Sequence, residues 1–197
     1  MPRPTLHEES AILSAASRLV AKGGPGAATM AAISKVSGAA NGSLYHRFGS
    51  RDRLLGRLWL NKAAAFQDRF EQALQHADAR QAGLEAALSM PRGVRKDPEG
   101  ARIMLLHRQS DFLSEGWPDE MKDEAKRLAS QVSYLLNEMA DRLFGQRAEA
   151  ARRVTAFALL DVPYSAVHRY VAAGKTPPQE LDRLISTAYH AVVDAGV

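Results

Sequence analysis

The sequence predicts an all-α protein of about nine helices, and three observations carry that prediction. Apolar residues recur at intervals of three and four through almost all of the 197 residues. No run of alternating or β-branched residues bounded by turn signals stands out as a strand. Glycines, prolines and small polar caps fall between the periodic stretches, where helices would have to start and stop. Composition agrees: 46% hydrophobic and 24% charged residues describe an ordinary globular chain, not a disordered one.

The first helix is expected to begin after Thr5, where Thr5 and Glu8 form a capping-box pattern. It carries Ile12, Ala15, Ala16, Leu19 and Val20 until Gly23, Gly24 and Pro25 stop it. Thr29 then caps a short helix bearing Ile33 and Val36, which Gly38 closes in the left-handed conformation. A third short helix spans Asn41 to Phe48. Ser50 caps a longer fourth, with Leu55, Leu58, Trp59, Phe66, Phe70 and Leu74 along one stripe.

Further on, a helix near Gln81 to Met90 is followed by Pro91, Gly93, Pro98 and Gly100, which read as a loop, and then by a helix over Ala101 to Leu113. Trp117-Pro118 breaks the chain again. A long helix carries Met121, Ala125, Leu128, Val132, Leu135 and Met139 as far as Gly145. The last two helices are expected over Ala148 to Ala173, kinked or locally broken at Pro163, and Thr176 to Asp194. Thr176, Pro177 and Gln179 serve the second as cap, first-turn proline and capping-box partner.

Charge divides the chain unevenly. Residues 1–62 hold nine Lys or Arg against three Asp or Glu, whereas residues 63–197 hold 17 against 19. A basic segment on a near-neutral body suits a phosphate-backbone partner, although a basic solvated surface gives the same count. The absence of cysteine removes disulfides, thiolate metal sites and cysteine nucleophiles together. No apolar run reaches the roughly 18 residues of a membrane span, so no membrane role and a cytoplasmic location are expected.

Enzyme chemistry finds no support. His107 and Asp111, four residues apart, lack a third metal ligand, and Asp119, Glu120, Asp123 and Glu124 sit where a helix macrodipole favours acids without any chemistry. No nucleophile elbow, phosphate loop or zinc signature occurs, so neither cofactor nor metal is expected.

The most informative segment is Thr29 to Leu55, TMAAISKVSGAANGSLYHRFGSRDRLL. Two short helices around a Gly-containing turn form a helix-turn-helix, whose second helix is the one presented to the DNA major groove. Ile33 and Val36 are expected to pack on Leu44 and Phe48. Asn41, Gly42, Ser43, Tyr45, His46 and Arg47 are then left facing outward or sideways, as groups suited to phosphates and base edges. Gly42 costs helix stability but permits close backbone approach.

These residues resemble the TetR family of transcriptional regulators, whose recognition helix reads roughly Gly-Thr-Leu-Tyr-x-x-Phe before a small, a basic and an acidic residue and a Leu-rich fourth helix. Gly42, Ser43, Leu44, Tyr45, His46, Arg47 and Phe48 match that pattern, as do Ser50, Arg51, Asp52, Leu54 and Leu55. The resemblance implies a sequence-specific DNA-binding regulator, released from its operator by a small-molecule effector in the manner of a repressor. It implies that Thr29 and Tyr45 hold phosphates, that Ser43 and His46 lie in or beside the groove, and that Arg51 holds phosphate at the start of the fourth helix. Thr29 also reads as a plain N-cap, Tyr45 as a half-buried core aromatic, and His46 and Arg47 as solvated surface. Where relatives have Ser-Lys before the recognition helix, this chain has Ala40 and Asn41, so Asn41 is left as a cap or as a partner for an adenine edge. The basic N-terminal arm is thin, with Arg3 alone.

The same resemblance divides the chain into a DNA-binding domain over residues 1–50, joined by a fourth helix from about 51, and a helical effector-binding and dimerisation domain over 51–197. A homodimer through the last two helices is implied, and two apolar stripes fit it: Phe157, Leu160, Tyr164, Val167 and Val171, and Leu181, Leu184, Ile185, Ala188 and Val192. Packing of both stripes within one monomer is the other reading. Candidate effector contacts are the polar and aromatic groups set among apolar ones: His107, Trp117, Tyr134, Asp161, Tyr164 and His168, with internal hydrogen bonding or core packing the alternative for each. A helical adaptor whose basic N-terminal surface binds another protein or acidic lipid would share these features. Salt-dependent, sequence-selective binding to duplex DNA separates the two.

Overall fold

The computed structural model describes residues 6–112 and 117–196, with side chains from residue 9 onward, and among them every regular element is helical. The helices are α1 (Leu6–Gly23), α2 (Met30–Ser37), α3 (Asn41–Phe48), α4 (Arg51–Ala73), α5 (Ala79–Lys96), α6 (Pro98–Leu106), α7 (Asp119–Phe144), α8 (Glu149–Ala156), α9 (Val162–Ala172) and α10 (Glu180–Ala195). A π-helical turn, Phe157–Asp161, joins α8 to α9 in one unbroken rod, so the described residues form nine rods. The Thr5–Glu8 cap pattern and Arg3 lie outside the described residues.

Two apolar cores hold the chain together. One gathers Ile12, Ala15, Ala16 and Val20 of α1 with Met30, Ile33, Leu44, Phe48 and the first half of α4, and takes in Ile103, Trp117 and Met121 from farther along the chain. The other joins the second half of α4 to α5, α7, α8, α9 and α10. The long α4 therefore belongs to both, and a change in its tilt moves both.

Several helix boundaries differ from the sequence expectation, each for a physical reason. Pro91 and Gly93 do not open a loop; α5 runs through both to Lys96, capped at its start by the Asp78 carboxylate, which accepts from Gln81 N at 2.7 Å. A proline inside a helix costs about 3 kcal/mol. Met90, Pro91, Gly93 and Val94 are all buried in the core, and that packing outweighs the loss. Pro98 and Gly100 likewise form the first turn of α6, where Pro needs no N–H and Asp97 Oδ1 accepts from Gly100 N at 2.9 Å. A Cβ on Gly100 would lie only 2.7 Å from Asp97 Cγ, so this cap requires glycine.

At its other end α6 stops at Leu106 instead of Leu113. His107 is extended, with φ −125° and ψ 146°, and a short 3-10 turn, Gln109–Asp111, follows. The final helix starts at Glu180, not Thr176. Pro177 is buried outside it, and Thr176 is exposed and caps nothing. Pro163 neither breaks nor ends its rod. The π turn immediately before it widens the helix, with Val162 N–H bonding back to Phe157 O, where a proline ring would otherwise collide with the preceding turn.

Candidate nucleic-acid interface and the adjoining cleft

In the α2–turn–α3 unit the Thr29 hydroxyl accepts from Ala32 N at 3.1 Å and starts α2. Gly38, at φ 76°, ends it by donating to Ser34 O at 2.9 Å. The turn is fastened by the Ser34 hydroxyl donating to Ala39 O at 2.7 Å and by Ala39 N donating to the Ser37 hydroxyl. Met30 and Ile33 are the buried residues of α2, whereas Val36 is 42% exposed and does not pack under α3. On α3, Leu44 and Phe48 point into the core. Asn41, Gly42, Tyr45 and His46 are exposed, with Ser43 and Arg47 half-buried at the edges. Tyr45 is 52% exposed, which is incompatible with a core role. Asn41 is not the cap: Ala40 holds that position and supplies no side-chain bond, so the Asn41 amide is left on the outer face.

Arg51 is placed differently from a phosphate ligand facing outward. Its Nε donates to Ala28 O at 2.9 Å and a terminal nitrogen donates to Pro25 O, while Asp52 lies 3.6 Å from the other. The guanidinium thus ties the start of α4 to the connection between α1 and α2. Ser50, accepting from Arg53 N at 3.2 Å, caps α4 as expected.

Below this unit a narrow cleft, open to solvent on one side, lies between α4, α5 and α6. Its walls are Phe66, Met90, Val94, Met104 and Leu105, with Lys62, Arg69 and Asp97 as its charged groups. Lys62 Nζ lies 2.8 Å from Asp97 Oδ2. Burial raises the Asp97 pKa, but the hydrogen bonds from Lys62 and Gly100 N outweigh it and leave the group below the ordinary carboxylate value.

None of the six effector residues expected from sequence lines this cleft. His107 lies past the end of α6 and packs toward Gly24, where a Cβ would be 3.5 Å from its Cε1. Trp117 is 2% exposed in the N-terminal core, wedged so closely against Gly56 that a Cβ there would be 2.5 Å from the indole. Tyr134, on α7, is 56% exposed. Asp161 is exposed in the π turn, and the Tyr164 and His168 rings meet at a 42° tilt, 5.2 Å apart, on α9, with the Tyr164 hydroxyl 3.4 Å from Leu105 O. What sequence reasoning missed was the face of α4 carrying Lys62, Phe66 and Arg69. Their spacing of four and three places two cations around an aromatic, and that signal was readable.

Residues 12–58 match the family model described as bacterial regulatory proteins of the tetR family, a span running from α1 into α4 and containing the whole helix-turn-helix. Over that span the chain is similar to the DNA-binding part of TetR-family regulators. No curated protein matches it as a sequence. Among solved structures, the FadR regulator of Bacillus subtilis in complex with stearoyl-CoA is 18% identical, with a TM-score of 0.71 over 95% of this chain and 98% of that one. A TetR-like regulator from Rhodococcus sp. RHA1 is 18% identical at a TM-score of 0.71, covering 100% of both chains. The ketosteroid regulator KstR2 of Mycobacterium tuberculosis is 17% identical at 0.67, over 97% and 95%. At such identities the likeness is one of fold, and it extends the TetR architecture over the C-terminal helices. The helix-turn-helix lies wholly within the span that matches DNA-binding regulators, and the cleft lies between α4, which leads out of it, and α6.

Proposed function

We propose that this protein is a homodimeric repressor that holds operator DNA through α3 and releases it when a small organic effector fills the cleft between α4, α5 and α6. The observation that carries this reading is the two-sidedness of α3. Leu44 and Phe48 lock the helix into the core, and Asn41, Gly42, Tyr45 and His46 form an exposed polar face. Tyr45 and Thr29 take phosphates, and Ser43 and His46 lie in or beside the groove with Arg47 at its edge. Asn41 suits an adenine edge, and Gly42 lets the DNA backbone come close. Arg51 acts as a positioning residue that keeps α4 registered on the reader.

Residues 1–50 are the reader, and the effector and dimer functions fall to the chain from 51 onward. Phe157, Tyr164 and Leu184 are 49%, 40% and 55% exposed on the last two rods, large side chains that a second copy would cover. Val167, Val171, Leu181 and Ile185 turn into the protein's own core, so the contact face is narrower than the apolar stripes suggest. A dimer sets two recognition helices about 34–36 Å apart, one DNA turn. A cytoplasmic location fits this role, and among the described residues no helix is long and apolar enough to cross a membrane.

Release runs through α6. Met104 and Leu105 line the cleft, Ile103 is buried in the reader's core, and Arg102 donates to Ala21 O at the end of α1 and to Val171 O on α9, both at 2.7 Å. A ligand that shifts α6 must disturb one of these bonds. The stearoyl-CoA bound by B. subtilis FadR and the ketosteroid role of KstR2 support an organic effector of this kind. The decisive test is selection of binding sites from random duplex DNA, repeated with Tyr45→Ala at two salt concentrations. A two-fold symmetric site, weakened by both changes, is the expected result. A folded protein that enriches no sequence at low salt would refute the reading.

A further inference from the structure

Arg69 lies across the cleft described above and the neighbouring groove between α4 and α5, and its environment differs from that of the cleft's other cation. Lys62 is already engaged by Asp97. Arg69 Nε is buried without a hydrogen-bond partner among the described residues, beside Gly93, where even a Cβ would come within 3.1 Å of it. A buried donor left unpaired is costly, and a charged one more so, which makes this nitrogen a receiver for an acceptor that a ligand brings. On one side of Arg69 are the apolar walls, Phe66, Met90, Val94, Met104 and Leu105. On the other side the groove of α4 and α5 carries Arg92 and Lys96 against a single acid, Glu85, which Arg92 already engages. An apolar compartment thus opens onto a surplus of positive charge, with Arg69 at the junction.

We propose that the effector is an organic anion with one carboxylate on a hydrocarbon body, the acid group received by Arg69 Nε–H and the hydrocarbon lying against Phe66, Met90, Val94, Met104 and Leu105. This rests on the reading of the cleft as the effector site and names its ligand class. A neutral apolar molecule would fill the same walls but leave the Arg69 donor unpaired. A small acid without a body would satisfy the donor and forgo the burial.

Octanoate, 1-octanol and acetate, titrated calorimetrically into the full chain without DNA, test this. Octanoate should bind about tenfold or more tightly than octanol, the least that one charge-assisted hydrogen bond to a buried donor brings, and acetate should bind weakest. Arg69→Met should bring octanoate down to the level of octanol while leaving octanol within about twofold, as expected when a single polar contact is removed and the apolar wall kept. Arg69→Lys, which keeps the charge, should restore part of the preference. Equal binding of acid and alcohol, binding of neither, or parallel losses for both in Arg69→Met would overturn the proposal. Operator binding by the ligand-free protein is measured alongside. If DNA binding is intact and octanoate preference absent, only the ligand class fails; if the preference is intact and DNA is not bound, the repressor reading fails instead.

Discussion

Gly42→Ala separates what α3 needs to fold from what it needs to bind. Gly42 is exposed within the eight-residue α3, and a Cβ added there meets no atom within 4 Å. Alanine should therefore stabilise the protein by about 0.5–1 kcal/mol, the helix-propensity difference with no clash to offset it. For a chain of this size that corresponds to a rise in Tm of roughly 1–4 °C. If Gly42 instead lies against the DNA backbone, the same methyl group pushes the helix away, at a cost of about 1–3 kcal/mol, as for other overpacked contacts. Operator affinity should then fall about 5- to 160-fold. Urea melts give the first quantity, with an unchanged m-value as the control, and fluorescence anisotropy on a labelled operator gives the second. The opposite signs are the prediction. A variant that is more stable and binds DNA as tightly as the parent would show that no backbone approaches Gly42, and a less stable one would contradict the open space around it.

Arg51→Ala should cost about 1–3 kcal/mol of stability by removing charged donors from the carbonyls of Pro25 and Ala28. Its operator affinity should fall without changing the slope of log K against log salt, whereas loss of a true phosphate contact would flatten that slope by about 0.9. Arg102→Gln should leave ligand-free operator binding near that of the parent and reduce the effector-driven release, read as the ratio of operator affinities with and without octanoate; an unchanged ratio would remove α6 from the transmission path. The Tyr189 phenol, buried against Gly83 and donating to Arg80 O at 2.8 Å, is pushed up to about 12 by burial. Its contribution to stability is complete below about pH 10, the ordinary phenol value, and is lost between about 10 and 12 as the unfolded chain ionises first. Tyr189→Phe should lose that component of the alkaline destabilisation, which a comparison of urea midpoints across this range would measure.

The reader was largely legible in the sequence because its signals are local. Thr29, Gly38 and Ser50 act within one helical turn, and Leu44 and Phe48 show their direction through spacing alone. Asn41 shows the limit of such reasoning, since side-chain chemistry favoured it as a cap while the backbone gave that position to Ala40. The C-terminal half resisted for a different reason. Pro91, Gly93, Pro98 and Gly100 have a loop-like composition, and only the burial of Pro91 and Gly93 and the cap from Asp97 reveal two helices. Periodicity places His107 on a helical face, whereas α6 ends one residue earlier, at Leu106. Trp117 looked like a ligand contact by type, yet it fills the close approach that Gly56 allows between α4 and the start of α7, a fact of tertiary distance that spacing does not encode.

The sharing of the reader's core with Ile103, Trp117 and Met121 bears on how such a protein can be recombined. A fragment ending after α4 would leave Ile12, Ile33, Leu54 and Leu58 without part of their apolar cover, so a graft made there would exchange a binding specificity for an exposed oily surface. A workable chimera has to bring the cognate α6 and the first turns of α7 along with the helix-turn-helix. The unit that can be inherited or exchanged is discontinuous in the chain, and its seam runs through the middle of α4, not before it.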